Sequence, residues 1–413
     1  MKKIICLLAI LLPVLNFGQT FQVGHVSVNF KDPARAGGFL IAGGIQMPGT
    51  GRDIGTEIYY PANTTGNNVA LASGQFPVVV LAHGFVMTYD NYDNIYNQLA
   101  AKGFIVALPR TEGGFSPNHL EFSKDISLLA DQVKQLNTLS TPTGIAIFNG
   151  KVKQSVAIGG HSMGAGCSMV GAQNNTTISA LFNMATATSN STGISSLAGA
   201  SLVTVPVLIF SGEKDCVADT IVQNSHYSNL ASAVKFHVIL KALTHCDFGN
   251  GTSSNCTLGQ TISGCGNTVN NTIAFNRYMN YLLPFLNKVL KDSCSEGQRF
   301  MDSVNTVSSL RSGLKKQGSL VCGPQGISNN FLSSQVTIYP NPASSFLSIQ
   351  LSEQLLINDL KVFDIHGKLI STHTSLKEQK NGFVLDVNEW PSGVYFLSLK
   401  CKDTLTHKKF IKN

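Results

Sequence analysis

Short apolar runs alternate with longer amphipathic stretches from about Phe21 to Leu290. The runs rich in Val, Ile and Phe are FPVVVLAHGF, FIVALPR, SVAIGGHS, ISALFNMA, VPVLIFSG and VKFHVILK. Continuous apolar runs of this length are typical of strands buried on both faces, as in a parallel sheet. Two earlier runs, HVSVNF and TEIYYPA, predict an antiparallel beginning.

Helical patterns fill the spaces between these runs. NYDNIYNQLAAKG predicts a helix that ends at Gly103, and SKDISLLADQVKQLNTL predicts one with Ser123 as its N-cap. A last long helix is predicted from about Thr272 to Lys291, with Pro284 inside it, and a polar helical segment follows as far as Cys322. Alternation of strands and helices of this kind predicts an α/β domain.

The pattern changes after Cys322. Residues 323–335, GPQGISNNFLSSQ, carry the Gly, Pro, Ser and Asn of a linker. Beyond it lie short alternating runs with turn residues between them: VTIYPNP, FLSIQL, LKVFDIHGKLI, FVLDVNEW, GVYFLSLK and HKKFIKN. They predict a small all-β sandwich over residues 336–413, after an α/β domain over residues 19–322.

The first 18 residues have a targeting pattern. Lys2 and Lys3 precede the apolar run IICLLAILLPVL, which ends near the small residue Gly18. This pattern predicts a secretory signal peptide over residues 1–18, and the run is too short to span a bilayer. We expect no transmembrane segment elsewhere. The formal net charge of +7 over 413 residues is spread thinly, which argues against nucleic acid as a partner.

Six cysteines cluster between residues 216 and 322, which indicates disulfides in an exported chain. Six cysteines allow 15 pairings. The preferred set is Cys216–Cys246, Cys256–Cys265 and Cys294–Cys322. The first of these bridges would join two loops that carry candidate catalytic residues, and the alternative is that these cysteines have other partners. Two further cysteines, Cys167 and Cys401, lie in apolar segments and are expected to be buried thiols. No CxxC pair or HxxxH supports a zinc site.

A candidate nucleophile, Ser162, lies in AIGGHSMGAG, between a predicted strand and a predicted helix. G-x-S-x-G is a weak signal alone, but a nucleophile on a sharp strand-to-helix turn needs small neighbours. Here Gly160, Gly164 and Gly166 provide them. The alternative is a glycine-rich turn with an idle serine.

A base and an acid should follow such a serine in the order Asp or Glu, then His. Asp215 follows the run VPVLIFSG and His245 follows VKFHVILK. Both therefore lie beyond the carboxyl end of a predicted strand, where open α/β sheets build their sites. The oxyanion donors predicted for this arrangement are the backbone N–H groups of Met163 and Phe85. Their side chains are expected to line the cleft.

HGF, GHSMGAG, VPVLIFSGEKD and a single His before a final helix together resemble the α/β-hydrolases of the cutinase-like polyesterase group. The similarity is greatest to bacterial polyethylene terephthalate hydrolases and their dienelactone-hydrolase relatives, and it runs from about Phe21 to Cys322. A disulfide after the last helix is common in that family, and the pair Cys294–Cys322 matches it. Separately, IYPNP, LKVFDIHGKLI, PSGVYFLSL and KKFIKN resemble the C-terminal sorting domain of the type IX secretion system of Bacteroidetes.

These resemblances imply a secreted or surface-attached serine esterase with an α/β-hydrolase fold. Ser162 is the implied nucleophile, His245 the base and Asp215 the acid, with Phe85 and Met163 as oxyanion donors. The implied substrates are polyesters such as polyethylene terephthalate, and the implied partner is the type IX secretion machinery. No metal or organic cofactor is expected, and a monomer is expected. The alternatives are a short-chain carboxylesterase or lipase, and a surface binding protein on a hydrolase scaffold.

Overall fold

The structure is a computed structural model. It describes residues 20–41, 45–138, 145–191, 194–266, 269–306, 308–322, 336–351, 359–374, 382–401 and 404–413. The predicted signal peptide at 1–18 and the predicted linker at 323–335 lie outside these residues. The chain divides into two compact units, of which the first ends at Val321 and the second begins at Cys322. None of the described helices is long and apolar enough to span a membrane.

Strands of the first unit build one large sheet and two short ribbons. They are β1 (Gln22–Ala36), β2 (Leu40–Ile41), β3 (Ile45–Gln46), β4 (Thr50–Ala62), β5 (Gly66–Asn67), β6 (Phe76–Ala82), β7 (Ile105–Pro109), β8 (Val152–His161), β9 (Ala180–Met184), β10 (Asn190–Ser191), β11 (Ile194–Ser195), β12 (Val207–Gly212), β13 (Lys235–Leu240) and β14 (Arg311–Gln317). The large sheet has the order β14-β13-β12-β9-β8-β6-β7-β4-β1-β5. Its six central strands, from β13 to β7, are mutually parallel.

The antiparallel beginning is confirmed, because β1 pairs with β4 and β4 pairs antiparallel with β7. At the other edge, β14 pairs antiparallel with β13. The sequence RSGLKKQ was expected to be part of a polar helical segment, and that part of the prediction is wrong. An edge strand has only one neighbouring strand and borders solvent, so polar residues are tolerated along it and the apolar signal of a strand is absent.

Eight helices flank the sheet in the described part of the first unit. They are α1 (Asp93–Ala101), α2 (His119–Gln135), α3 (Met163–Ala172), α4 (Ser196–Ala200), α5 (Thr220–Asn229), α6 (Ser254–Ile262), α7 (Asn271–Lys291) and α8 (Cys294–Asn305). The sheet is buried on both faces, since Val78 and Val80 pack with α2 and α3 while Val79 and Leu81 pack with α1, α7 and α8. The α/β prediction is confirmed.

Helix α2 begins earlier than predicted. Its N-cap is Asn118, whose Oδ1 accepts a hydrogen bond from the backbone N–H of Glu121 at 3.1 Å. Ser123 lies inside the helix, where its hydroxyl donates to the His119 carbonyl at 2.7 Å. Asparagine is as effective an N-cap as serine, and a serine inside a helix can bond back to the preceding turn instead. The prediction of Ser123 as the cap was therefore wrong.

The second unit is all-β, as predicted. Its strands are β15 (Val336–Tyr339), β16 (Phe346–Leu351), β17 (Asp359–Asp364), β18 (Leu369–Thr374), β19 (Gly382–Asp386), β20 (Gly393–Cys401) and β21 (Thr404–Lys412). They form a three-stranded sheet, β15-β16-β19, and a four-stranded sheet, β18-β17-β20-β21, both antiparallel. Side chains of both sheets share one core, which includes Leu347, Val362 and Leu397.

Candidate active site

Ser162 lies on a sharp turn between β8 and α3. Its φ is 54°, in the left-handed region that non-glycine residues rarely adopt. The turn packs directly against the end of β6, where a Cβ on Gly160 would lie 2.6 Å from the Ala82 carbonyl oxygen and one on Gly164 would lie 2.5 Å from that of His83. Only glycine fits at these two positions. The serine is thereby held at the N-terminus of α3, at the carboxyl edge of the parallel strands.

Three side chains from three loops meet at this edge. His245 Nε2 is 2.8 Å from Ser162 Oγ, and His245 Nδ1 is 2.9 Å from Asp215 Oδ2. All three residues are buried. Asp215 follows β12 and His245 follows β13, the next strand of the sheet. The structure therefore brings together the three residues that the sequence singled out, as a continuous chain of hydrogen bonds.

Asp215 is held in place by its own loop. Its Oδ1 accepts hydrogen bonds from the backbone N–H groups of Val217 at 3.0 Å and Ala218 at 2.9 Å. The neighbouring carboxylates have other tasks. Asp219 caps α5 by accepting from two backbone N–H groups, and Asp247 accepts from the backbone and hydroxyl of Thr244. Of these three carboxylates, Asp215 is the one that pairs with His245, whose Nδ1 lies 3.0 Å from its Oδ1 and 2.9 Å from its Oδ2.

A second histidine links the catalytic loops beneath the surface. His161 Nε2 is 2.9 Å from the His245 carbonyl oxygen, and its Nδ1 is 2.9 Å from the Tyr92 hydroxyl oxygen. That hydroxyl accepts a hydrogen bond from the backbone N–H of Gly84, the residue before Phe85. Tyr92 is fully buried and acts as a brace between these segments. This network was not predicted, because it joins segments that are far apart in the sequence.

Burial disfavours the charged form of two histidines near this edge, His161 and His83. Complete burial lowers the pKa of His161 well below its usual range, and the neighbouring His245 lowers it further. Burial also lowers the pKa of His83, whose ring nitrogens lie 2.9 Å from the carbonyl oxygens of Gly84 and Thr111.

Acidification is expected to destabilise the fold through these two histidines. Unfolding returns each imidazole to water, where its pKa is about 6.5, so the unfolded chain binds more protons and the free energy of unfolding falls as pH drops below that value. The free energy of unfolding is therefore expected to be lower at pH 5.5 than at pH 7.5. Urea titrations at pH 7.5 and 5.5 measure it. His161→Gln should show a shallower pH slope, and an unchanged slope would contradict the assignment.

The two candidate oxyanion donors, Met163 and Phe85, lie on either side of the Ser162 turn in the sequence of elements, at the start of α3 and after β6. Met163 is the first residue of α3, and the first N–H groups of a helix have no acceptor within it. Phe85 follows β6 and its side chain is 50% exposed beside Ser162. The expectation that both side chains line the cleft is half wrong. The Met163 side chain is buried in the core, because it begins a helix that packs on the sheet, and Met87 lies beside Phe85 instead.

An open pocket of about 90 Å³ surrounds Ser162 and His245. Its apolar lining comes from Phe85, Met87 and Val217. The remaining lining comes from His161 and from α6, which contributes Asn255, Cys256, Gly259 and Gln260. Helix α6 belongs to the long segment that follows His245. The cysteines Cys246, Cys256 and Cys265 marked this segment in the sequence, but they did not show that it reaches the cleft.

Two of the expected disulfide pairings are wrong. The bridges are Cys216–Cys265 and Cys246–Cys256, rather than Cys216–Cys246 and Cys256–Cys265. The reason is α6, which begins next to the His245 loop and ends next to the Asp215 loop, so each catalytic loop bonds to one end of the helix. Cys294 and Cys322 are each disulfide-bonded. Cys167 is a buried free thiol, as expected, and the Cys401 side chain lies outside the described residues.

Loss of Cys216–Cys265 is expected to destabilise the fold more than loss of Cys246–Cys256. The two bridges close sequence separations of 49 and 10 residues. On the chain-entropy estimate, they are worth about 4 and about 2.7 kcal/mol. The paired variants Cys216→Ser/Cys265→Ser and Cys246→Ser/Cys256→Ser serve as each other's control in urea unfolding. Equal losses, or the reverse order, would contradict the estimate.

Comparison with known proteins assigns both parts of the chain. The PET hydrolase-like family matches residues 33–293. The secretion system C-terminal sorting domain matches residues 337–413. A comparison with curated proteins finds no match. Among the described residues, no group of three or more His, Cys, Asp or Glu side chains is arranged to hold a metal ion.

Proposed function

The chain belongs to the PET hydrolase-like family, and from this premise we propose that it is a serine esterase that cleaves polyesters, including polyethylene terephthalate, through an acyl-enzyme. The observation that carries the proposal is the continuous hydrogen-bond chain from Asp215 through His245 to Ser162. A nucleophile bonded to a base that is itself oriented by a buried acid is the arrangement that activates a serine hydroxyl.

The broader assignment is firm. The chain is a hydrolase that is secreted or attached to the cell surface, and its C-terminal domain is a type IX sorting domain that interacts with the secretion machinery. The proposal adds the substrate, the bond cleaved and the residues that cleave it.

Acylation begins when Ser162 Oγ attacks the ester carbonyl carbon and His245 Nε2 accepts the hydroxyl proton. The negative charge that develops on the carbonyl oxygen is stabilised by the backbone N–H groups of Met163 and Phe85. His245 then donates its proton to the leaving alcohol oxygen as the C–O bond breaks. Asp215 accepts a hydrogen bond from Nδ1–H throughout, which fixes the tautomer and stabilises the imidazolium.

Deacylation repeats these steps with water as the nucleophile. His245 Nε2 accepts a proton from the water as its oxygen attacks the acyl carbon, and then returns a proton to Ser162 Oγ. The carboxylic acid leaves and the serine is restored. The same two backbone donors stabilise the second tetrahedral intermediate.

The shape of the cleft supports an extended apolar substrate. The pocket is open and is bordered by Phe85, Met87 and Val217, so a chain can lie across Ser162 without threading through a tunnel. Its small volume of about 90 Å³ favours the second candidate, a short-chain carboxylesterase for which polyesters are incidental substrates. A binding protein is the weakest candidate, because binding alone does not require a serine, a histidine and an aspartate joined by hydrogen bonds.

Product analysis separates these candidates. The chain is incubated with amorphous polyethylene terephthalate film and, separately, with a short-chain nitrophenyl ester. A fluorophosphonate probe followed by peptide mass analysis identifies the reactive residue. Terephthalate release with labelling at Ser162 supports the proposal. Hydrolysis of the soluble ester alone would support the short-chain esterase. Absence of hydrolysis and labelling would refute both.

A further inference from the structure

We propose that helix α6 is a fixed substrate-binding wall of the cleft and that Gly259 determines which acyl groups fit beside Ser162. This inference rests on the proposed function, since it concerns the ester that Ser162 attacks. It adds a specificity-determining position that lies outside the triad and the oxyanion donors.

Helix α6 is attached to three loops around the pocket. Cys256, at its start, bonds to the cysteine after His245, and Cys265, just beyond its end, bonds to Cys216 in the Asp215 loop. Asn255 Nδ2 donates to the carbonyl of Val86, one residue after Phe85, at 3.1 Å. With two covalent bonds and a polar contact to three separate loops, α6 is a wall of constant position and not a lid.

The inner side of α6 adds a fourth attachment. Gln260 is buried, and its Oε1 accepts a hydrogen bond from the backbone N–H of Cys246 at 3.0 Å. Cys246 directly follows His245. Helix α6 therefore both lines the pocket and contacts the residue next to His245, so a group bound against α6 lies against an element that helps to position His245.

One side of α6 carries both pocket-lining residues and exposed apolar residues. Asn255, Gly259 and Ile262 are spaced at four and three residues, so they lie along one side of the helix, and Leu258 lies beside them. Leu258 is 59% exposed and Ile262 is 78% exposed. Asn255 and Gly259 line the pocket around Ser162. An apolar chain that extends from the scissile ester along this face would remove Leu258 and Ile262 from water.

Gly259 is the informative residue of this face. Glycine in the interior of a helix is less favourable than alanine. No close neighbour excludes a side chain here, because a Cβ built on Gly259 meets no atom within 4 Å. Gly259 is exposed and lines the pocket, so a side chain at this position would occupy open space at the edge of the pocket. We infer that this space receives the bulk of an aromatic or medium-chain acyl group.

The experiment compares Gly259→Leu with Thr261→Leu on nitrophenyl acetate, octanoate and benzoate. Thr261 is exposed on the same helix and is not part of the pocket lining. We expect Gly259→Leu to lower kcat/KM for benzoate and octanoate at least tenfold while acetate stays within about twofold. Thr261→Leu should leave all three esters within about twofold of the unmodified chain.

Gly259→Ala is the second variant, and it decides the outcome if the leucine variant does not fold. Alanine favours the helix, so its thermal midpoint should not fall, and the loss on benzoate should exceed that on acetate. An equal loss on all esters, or no loss on any, would overturn the inference. A chain with no hydrolysis above the level of Ser162→Ala would refute the proposed function and this inference with it.

Discussion

Ser162→Ala is expected to lower kcat for ester hydrolysis by about 10⁶-fold, which is the loss in kcat seen when the nucleophile of a serine hydrolase is removed. In the proposed mechanism the hydroxyl oxygen of Ser162 forms the acyl-enzyme, and it lies 2.8 Å from His245 Nε2. The alanine removes only one oxygen from a turn whose backbone is set by Gly160 and Gly164. The substrate KM should therefore change little, and the fold should remain intact by circular dichroism.

Ser168→Ala is the matched control for that substitution. Ser168 is a buried serine of the same helix, and its hydroxyl donates to the Gly164 carbonyl at 2.8 Å. It should keep activity within about threefold, since it has no contact with His245. Substantial turnover by Ser162→Ala, or a comparable loss in Ser168→Ala, would show that the assigned nucleophile is wrong.

Asp215→Asn is expected to lower kcat by about 10⁴-fold. The amide has nearly the same shape, but its nitrogen is a donor. To pair with it, His245 must place its proton on Nε2, which can then no longer accept the proton of Ser162. The backbone donors at Val217 and Ala218 favour an oxygen at one position, so the amide nitrogen faces His245. Single-turnover measurements of acylation with a soluble ester report this loss directly.

Asp219→Asn tests the same chemical change four residues away. Asp219 caps α5, and asparagine is an equally good cap, so stability and activity should both be retained. The pair therefore separates the acid of the triad from general effects on this acidic loop. If Asp219→Asn were the inactive variant and Asp215→Asn the active one, the acid would have to be reassigned.

The positions of Ser162, Asp215 and His245 could be predicted from the sequence because the carboxyl ends of parallel strands lie at the same edge of the sheet. Each residue lies in the turn or loop that follows a strong apolar run, and such runs end at one edge of the sheet. The strand signal was strong because β8, β12 and β13 are buried on both faces. The predicted order of serine, acid and histidine then left few alternatives.

Contacts between distant segments could not be predicted in this way. The brace from Gly84 through Tyr92 and His161 to His245 joins three loops, and nothing in the local pattern indicates it. The disulfide pairing failed for the same reason, because the position of α6 between the two catalytic loops is a tertiary fact. Local signals also misled where two residue types do the same work, as with Asn118 and Ser123.

Because α6 is attached by two disulfides, the structure of the cleft depends on whether the protein has been exposed to oxidising conditions. Thiols stay reduced in a bacterial cytoplasm and oxidise after export. Before export, the cysteines that attach α6 are expected to be reduced, so the disulfides that join α6 to the loops of Asp215 and His245 are absent. Formation of the complete cleft is thus coupled to export from the cytoplasm. Protein produced in a reducing cytoplasm would lack the two disulfides that the exported protein carries.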